Sequence, residues 1–350
     1  MMTSHPRASN EATKMFAEAG EAADAVARQF AANTQVIDAL SARLHAQPPG
    51  FIVTCARGSS DHAATFAKYL FETHLGLVTA SASPSIASVY AVEPKLRGAL
   101  FIAISQSGRS PDLLRNTELA KAAGASVVVL VNKEDSPLAQ LADHVIPLHA
   151  GAETSIAATK SYLCSLSALL HLTARWSGDR ALSRALQALP QPMRDAWTMD
   201  WSPLVEGLRD ARDLFVIGRG LGLGAAQEAA LKLKETCGLH AEAFSSAEVV
   251  HGPMAIVGRG FPVLAFVQDD DSGESTQQVA KEFRARGARA WLAQPGAHGG
   301  GHLPLPASPH PACTPLLTVA AFYRAANALA LARGFNPDVP PYLNKVTETV

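Results

Sequence analysis

The segment Ile104-Ser105-Gln106-Ser107-Gly108-Arg109-Ser110-Pro111-Asp112 places three hydroxyls, an amide and a glycine between an apolar run and a helical stretch. At the carboxyl end of a strand, backbone N–H groups of the next helix, helped by those hydroxyls, would cradle an anion. Ser110 or Asp112 could instead be an ordinary helix N-cap, although a cap needs only one such residue. Gly58-Ser59-Ser60 makes a second hydroxyl turn. Open parallel sheets gather ligands at the carboxyl ends of adjacent strands, so the two turns could close on one phosphate.

A second group of residues could move protons. In the helical stretch from Ala225 to Gly238, Lys232 and Glu235 stand three apart and share a face. A carboxylate beside an ammonium can act as a base that carries a proton between neighbouring carbons. Spacing alone favours the plainer alternative, a solvated pair between Lys232 and Glu228. His251 precedes Gly252-Pro253, a pair that stops a helix and leaves the imidazole at a rigid corner. An imidazole there could hand a proton to a leaving ring oxygen near neutral pH, or could simply be exposed.

Other motifs carry less. Gly220-Leu221-Gly222-Leu223-Gly224-Ala225 fits G-x-G-x-x-A, but neither Glu235 nor Glu242 ends a following strand, where a ribose-binding acid belongs. His298-Gly299-Gly300-Gly301 lacks the nucleophile elbow that would make it an oxyanion loop. His298, His302 and His310 have no Cys or carboxylate partner, so a surface loop is expected there rather than metal.

The elements that must position these residues read as two similar halves. Apolar positions Val26, Phe30, Ile37, Leu40 and Leu44 predict a helix within 11–46, stopped by Pro48-Pro49-Gly50. Buried parallel strands are expected at 51–54, 101–104 and 127–131, with a helix over 112–123. Strands at 214–217, 263–266 and 288–292 repeat that spacing, and both series open into a glycine turn, Arg57-Gly58-Ser59 and Gly218-Arg219-Gly220. The reading is α/β: a helical segment over 1–48, one doubly wound unit over 49–190, another over 202–333 with a last helix at 316–332, and a tail over 334–350.

Composition limits the function classes. The 350 residues carry 30 basic and 31 acidic side chains, a net charge of −1, which argues against a nucleic-acid coat. Charged residues are only 17% and hydrophobic ones 48%, enough for large cores and for a buried subunit interface. No stretch reads as a signal peptide or as a membrane span, and the four scattered cysteines suggest neither disulfides nor zinc. A cytoplasmic location is expected.

Together these pieces resemble the sugar isomerase (SIS) family, and more narrowly the isomerase half of glutamine–fructose-6-phosphate aminotransferase. The carriers are Gly58-Ser59-Ser60, Ser105-Gln106-Ser107-Gly108, Ala150-Gly151-Ala152-Glu153 with Ala158-Thr159-Lys160, Ala230 to Glu235, His251-Gly252-Pro253 and Asn344-Lys345-Val346-Thr347. The resemblance implies two SIS subdomains and a homodimer with shared active sites. It assigns Ser59, Ser60, Ser105, Gln106, Ser107, Ser110 and Ala158 to a sugar-phosphate pocket, with Ser110 where the aminotransferase commonly has Thr. It assigns Glu235 to the C1–C2 proton shuttle, Lys232 to its neighbouring lysine and His251, acting across the dimer, to ring opening. Lys345 matches the tail lysine that forms a Schiff base with the ketose.

The sequence reads from Met1-Met2-Thr3, with the first strand expected only at 51, and the expectation is of an enzyme without a glutaminase domain. The same chemistry without an ammonia source suits the reverse direction, as in the isomerase-like glucosamine-6-phosphate deaminases. The expected activity is therefore conversion of glucosamine 6-phosphate and water to fructose 6-phosphate and ammonia, with no metal or redox cofactor and no nucleic-acid or membrane partner. A fructosamine-6-phosphate deglycase, a galactosamine-6-phosphate deaminase/isomerase and a non-enzymatic sugar-phosphate sensor are the alternatives. A sensor has little need of Glu235, His251 and Lys345 together.

Overall fold

A computed structural model describes residues 13–90, 92–297 and 299–345. The described chain divides into two units. One, the first-sheet unit, holds 23–152 and 161–190. The other, the second-sheet unit, holds 13–22, 153–160 and 191–345.

In the first-sheet unit, five parallel strands lie in the order β2-β1-β3-β4-β5. They are β1 (Phe51–Cys55), β2 (Thr79–Ser81), β3 (Ala99–Ser105), β4 (Ser126–Val131) and β5 (His144–Pro147). Ala-Leu-Phe-Ile-Ala-Ile-Ser of β3 is buried at every position, as expected of a central strand covered on both faces. Helix Pro111–Ala122 sends Leu113 and Ala120 into the cluster formed by Val53, Phe101, Val127 and Val129. The long helix Ala22–Ala46 buries Val26, Ile37, Leu40 and Leu44, and it also buries two amides. Gln29 donates to the carbonyls of Leu148 and Cys164, and Asn33 donates to that of Pro147. The helix ends at Ala46, just before the Pro-Pro-Gly stop.

The second-sheet unit repeats the arrangement. Its parallel strands are β6 (Asp213–Gly218), β7 (His240–Ser245), β8 (Pro262–Phe266), β9 (Arg289–Pro295) and β10 (His302–Leu305), in the order β10-β9-β8-β6-β7. Helix Gly222–Cys237 follows β6 and helix Gly273–Ala285 follows β8. Helix Lys14–Gly20 joins this unit because Asp338 accepts from the backbone of Lys14 and Met15, both at 2.8 Å. Glu18 does the same for the strip 153–160, accepting from the backbone of Thr154 and Ser155.

Three expectations change. Helix Thr314–Ala332 lies within a stretch long and apolar enough to cross a membrane, which the residue-by-residue reading did not find. Its Leu316, Leu317, Val319, Phe322 and Leu329 are buried inside the unit, so packing accounts for the apolar run. The Pro/Gly/His-rich loop contains β10, an edge strand whose Pro304 is tolerated because an edge need not donate on both sides. His310 is also engaged, accepting from the Ala312 backbone at 3.1 Å; His298 lies outside the described residues. Finally, the stretch after 190, for which no element was expected, begins in helix Pro190–Thr198.

Candidate functional site

The hydroxyl turns lie in the first-sheet unit, at the carboxyl ends of the neighbouring strands β1 and β3. Ser59 opens helix Ser59–Leu75 after Gly58, whose φ of +55° makes the sharp exit from β1. Ser59 is buried and Ser60 half-buried. After β3, the buried Ser105 accepts from the Gly108 backbone at 3.0 Å, which folds the turn back on its strand. Gly108 has φ +64°, and a Cβ there would stand 2.2 Å from Ser136 Oγ, so only glycine fits.

Gln106, Ser107 and Ser110 remain half-buried on this turn. Ser110 is the N-cap residue of helix Pro111–Ala122, yet its side chain makes no capping bond. The ordinary-cap explanation therefore does not describe what the hydroxyl does. Asp112, buried, binds Arg57 at 2.7 Å and ties the two turns together. Arg57 and Asp112 are 55 positions apart, so no local pattern in the sequence pairs them.

The residues expected to move protons lie in the second-sheet unit. Lys232 is 1% exposed and meets both Glu228, at 3.6 Å, and Glu235. The solvated-surface reading of this helix fails: Glu228 is buried too, and the Tyr323 hydroxyl donates to it at 2.9 Å. Burial alone would lower the Lys232 pKa, but the carboxylates of Glu228, Glu235 and Glu153 outweigh it and hold the ammonium above its ordinary range. Glu235 keeps 22% of its side chain exposed. A carboxylate fixed beside a permanent cation and open on its outer side is equipped to exchange protons with a ligand.

Lys345 continues the network. It donates to the Ser155 carbonyl at 2.6 Å and approaches Glu153 at 3.5 Å. Glu153 in turn accepts from the Thr159 backbone at 3.0 Å, and Ala158 sits half-buried in the same strip. Glu153 and Tyr323 thus belong to the cluster, although only Glu153 lies in a motif. Tyr323 gave no signal, being one aromatic in an apolar helix. Val346 and Thr347 of the tail motif lie outside the described residues.

His251 is not drawn into that cluster by any hydrogen bond among the described residues. It ends a short 3₁₀ turn, Glu248–His251, and is exposed, with Val250 and Ile256 exposed nearby in sequence. The glycine-rich turn after β6 has a packing role. A Cβ on Gly218 would stand 2.4 Å from the Gly222 carbonyl oxygen, so strand and helix can approach this closely only with glycine. Glu242 lies inside β7, not at its end, so the dinucleotide pattern is incomplete.

The SIS domain family model matches residues 49–175 and 207–293. Glutamine–fructose-6-phosphate aminotransferase of Symbiobacterium thermophilum is 35% identical over 314 residues, covering 84% of this chain and 51% of that protein. The enzyme of that name from Sulfurisphaera tokodaii is 30% identical over 301 residues, with 84% and 49% covered. The chain thus spans about half the length of the curated relatives it matches. Among solved structures, a Silicibacter pomeroyi protein provisionally assigned as a phosphosugar isomerase is 41% identical with a TM-score of 0.89, covering 93% of this chain and 100% of that one. The C-terminal domain of glucosamine-fructose-6-phosphate aminotransferase from Francisella tularensis is 26% identical with a TM-score of 0.86, covering 95% of this chain and 100% of that one. A glucosamine-6-phosphate deaminase from Thermotoga maritima, 22% identical with a TM-score of 0.77 and covered 96% and 100%, shares the fold. With its two five-stranded parallel sheets and the family model spread over both, this chain belongs to the SIS domain family and is homologous to the isomerase domain of glutamine–fructose-6-phosphate aminotransferase.

Proposed function

We propose that the protein is an amino-sugar-phosphate deaminase that turns glucosamine 6-phosphate and water into fructose 6-phosphate and ammonia. The observation that carries this reading is the buried Lys232 ammonium holding two carboxylates, one of which, Glu235, stays accessible. Such a pair suits a base that collects one proton and returns it.

In this reading the hydroxyls of Ser59, Ser60, Ser105, Ser107 and Ser110, with the Gln106 amide, bind the phosphate. Ala158 lines the sugar. His251 protonates the ring oxygen as the C1 hydroxyl loses its proton, giving the open-chain aldehyde. Glu235 takes the proton from C2 and delivers the same proton to C1. As one N–H proton passes to the C1 oxygen, the product of that transfer is a C2 imine with a C1 alcohol. Water adds to the imine carbon and the nitrogen leaves as ammonia, so the sugar ends as a 2-ketose. Lys232 holds Glu235 in place through the cycle. Lys345, engaged with Glu153 and the Ser155 carbonyl, positions the strip 153–160 and is available to a ketose carbonyl when those contacts open.

The exposed His251, with Val250 and Ile256 exposed nearby in sequence, supports a role for this turn across a homodimer. A mixed dimer of His251→Ala and Glu235→Gln chains is the test: one site then receives both lesions and the other neither, and about half the wild-type activity per heterodimer is expected. Mixed dimers as inactive as either parent would assign His251 to its own subunit. The activity itself is tested by incubating purified protein with glucosamine 6-phosphate and measuring ammonia and fructose 6-phosphate together. Turnover of a fructosamine 6-phosphate with none of glucosamine 6-phosphate would overturn the substrate and keep the proton chemistry.

A further inference from the structure

The two sheets place their topological switch at the same point, between β1 and β3 in one and between β6 and β8 in the other. Their registers superpose through a single shift of 162 positions: Val53 pairs with Phe101 as Phe215 pairs with Val263. The same shift carries Arg57 onto Arg219, Gly58 onto Gly220, Gln106 onto Gln268 and Ser110 onto Ser272. Gly58 and Gly220 even share a φ of +55°. Ser110 and Ser272 each precede a helix as its N-cap residue without a side-chain capping bond. The other cradle positions differ: Leu221, Gly222, Val267 and Asp269 stand where the first sheet has Ser59, Ser60, Ser105 and Ser107.

Gln268 is the anomaly at this second switch point. It is 4% exposed, and neither Nε2 nor Oε1 has a hydrogen-bond partner among the described residues. Its amide lies over the start of helix Gly222–Cys237, since a Cβ on Gly222 would stand 2.7 Å from Nε2. Helix Gly222–Cys237 likewise begins without a side-chain cap. A buried amide unmatched on both sides destabilises the fold unless something binds there, and ligands collect at switch points.

We propose that the carboxyl end of the second sheet is a second ligand site, in which Gln268, with Gly220, Gly222 and Ser272, binds an uncharged polyhydroxyl molecule of the sugar or polyol class. The amide presents donors at Nε2 and an acceptor at Oε1, and hydroxyl groups, which donate and accept, satisfy both. A phosphate monoester dianion only accepts, and inorganic phosphate carries at most a donor or two among its oxygens, so phosphate matches Oε1 poorly beside a polyol. The exposed run Asp269-Asp270-Asp271 further opposes an anion. This site does not depend on which substrate the first sheet binds.

The test is hydrogen–deuterium exchange of the full chain with D-glucose, with N-acetyl-D-glucosamine and with inorganic phosphate. Saturable slowing of exchange over 218–224 and 267–273 by the neutral sugars, and not by phosphate, is expected. Gln268→Leu keeps the size and should weaken that protection at least ~10-fold through the two lost hydrogen bonds. Should that variant not fold, the wild-type map decides alone. If the sugars also slow 105–111, repeating the map with Ser105→Ala and Ser107→Ala separates the sites, because protection over 267–273 must survive there. No slowing by either sugar would mean that water alone fills the site and overturns the proposal. Slowing by phosphate instead, loss of protection with the first-sheet variant, or unchanged protection in Gln268→Leu overturns it equally.

Discussion

The two candidate site regions of this chain are built by opposite means. The first-sheet turns are uncharged hydroxyls and a glycine, held by backbone geometry: Ser105 folds the turn through the Gly108 backbone, and Gly108 lies flat against Ser136. The Lys232 cluster is held by charge, a buried ammonium among the carboxylates of Glu228, Glu235 and Glu153. A cradle made of backbone tolerates the loss of one hydroxyl but not a change of turn. A buried charge cluster tolerates little, because removing one member leaves the others uncompensated.

The largest effect should therefore follow Lys232→Met. It removes the buried ammonium that faces the buried Glu228 carboxylate, and a loss of about 3–5 kcal/mol in folding stability is expected by denaturant unfolding. If stability changes by less than about 1 kcal/mol, the cluster is hydrated and the contrast between the regions disappears.

Glu235→Gln comes next, keeping the shape while removing the base. Turnover should fall at least ~10²-fold with substrate binding largely intact. Solvent-deuterium exchange at substrate C2 is the sharper readout, and wild-type exchange in the variant would exclude Glu235 as the shuttle.

Replacing Ser105 and Ser107 together by Ala should weaken glucosamine 6-phosphate and inorganic phosphate alike by at least ~10-fold, since each lost bond to a charged acceptor contributes about 1.5–3 kcal/mol. Calorimetry showing equal affinity would move the phosphate away from these turns. The smallest change is in Ser110→Thr. The hydroxyl persists, and because Ser110 makes no capping bond the helix loses nothing; phosphate affinity should stay within about threefold. A larger drop would show that the cradle tolerates less than its backbone construction implies.

Much of this was legible in the residues. The central strands stood out as apolar runs because both faces are covered, and Ser59, Ser60 and Ser105 through Ser110 fell on strand ends as expected. The edge strands β2, β5, β7 and β10 did not stand out. They are short or partly polar, as in the four residues His302-Leu-Pro-Leu and the polar positions of His240-Ala-Glu-Ala-Phe-Ser, since an edge strand is only partly covered.

Sequence by itself determined the repeated strand–turn–helix order, the hydroxyl turns and the pairing of Lys232 with carboxylates on one helix face. These depend on periodicity and on residues a few positions apart, which the chain enforces locally. Tertiary structure decided which of those charges are buried. Helix spacing offers Lys232 both Glu228 and Glu235, but only the packed Thr314–Ala332 helix, with Tyr323 on Glu228, turns the pairing into a buried network. It also decided that Glu153 and Lys345, far apart in sequence, meet, and that Gln268 lies unmatched over a helix start. Burial and long-range contact are sums over the whole fold, and no local pattern of residues encodes them.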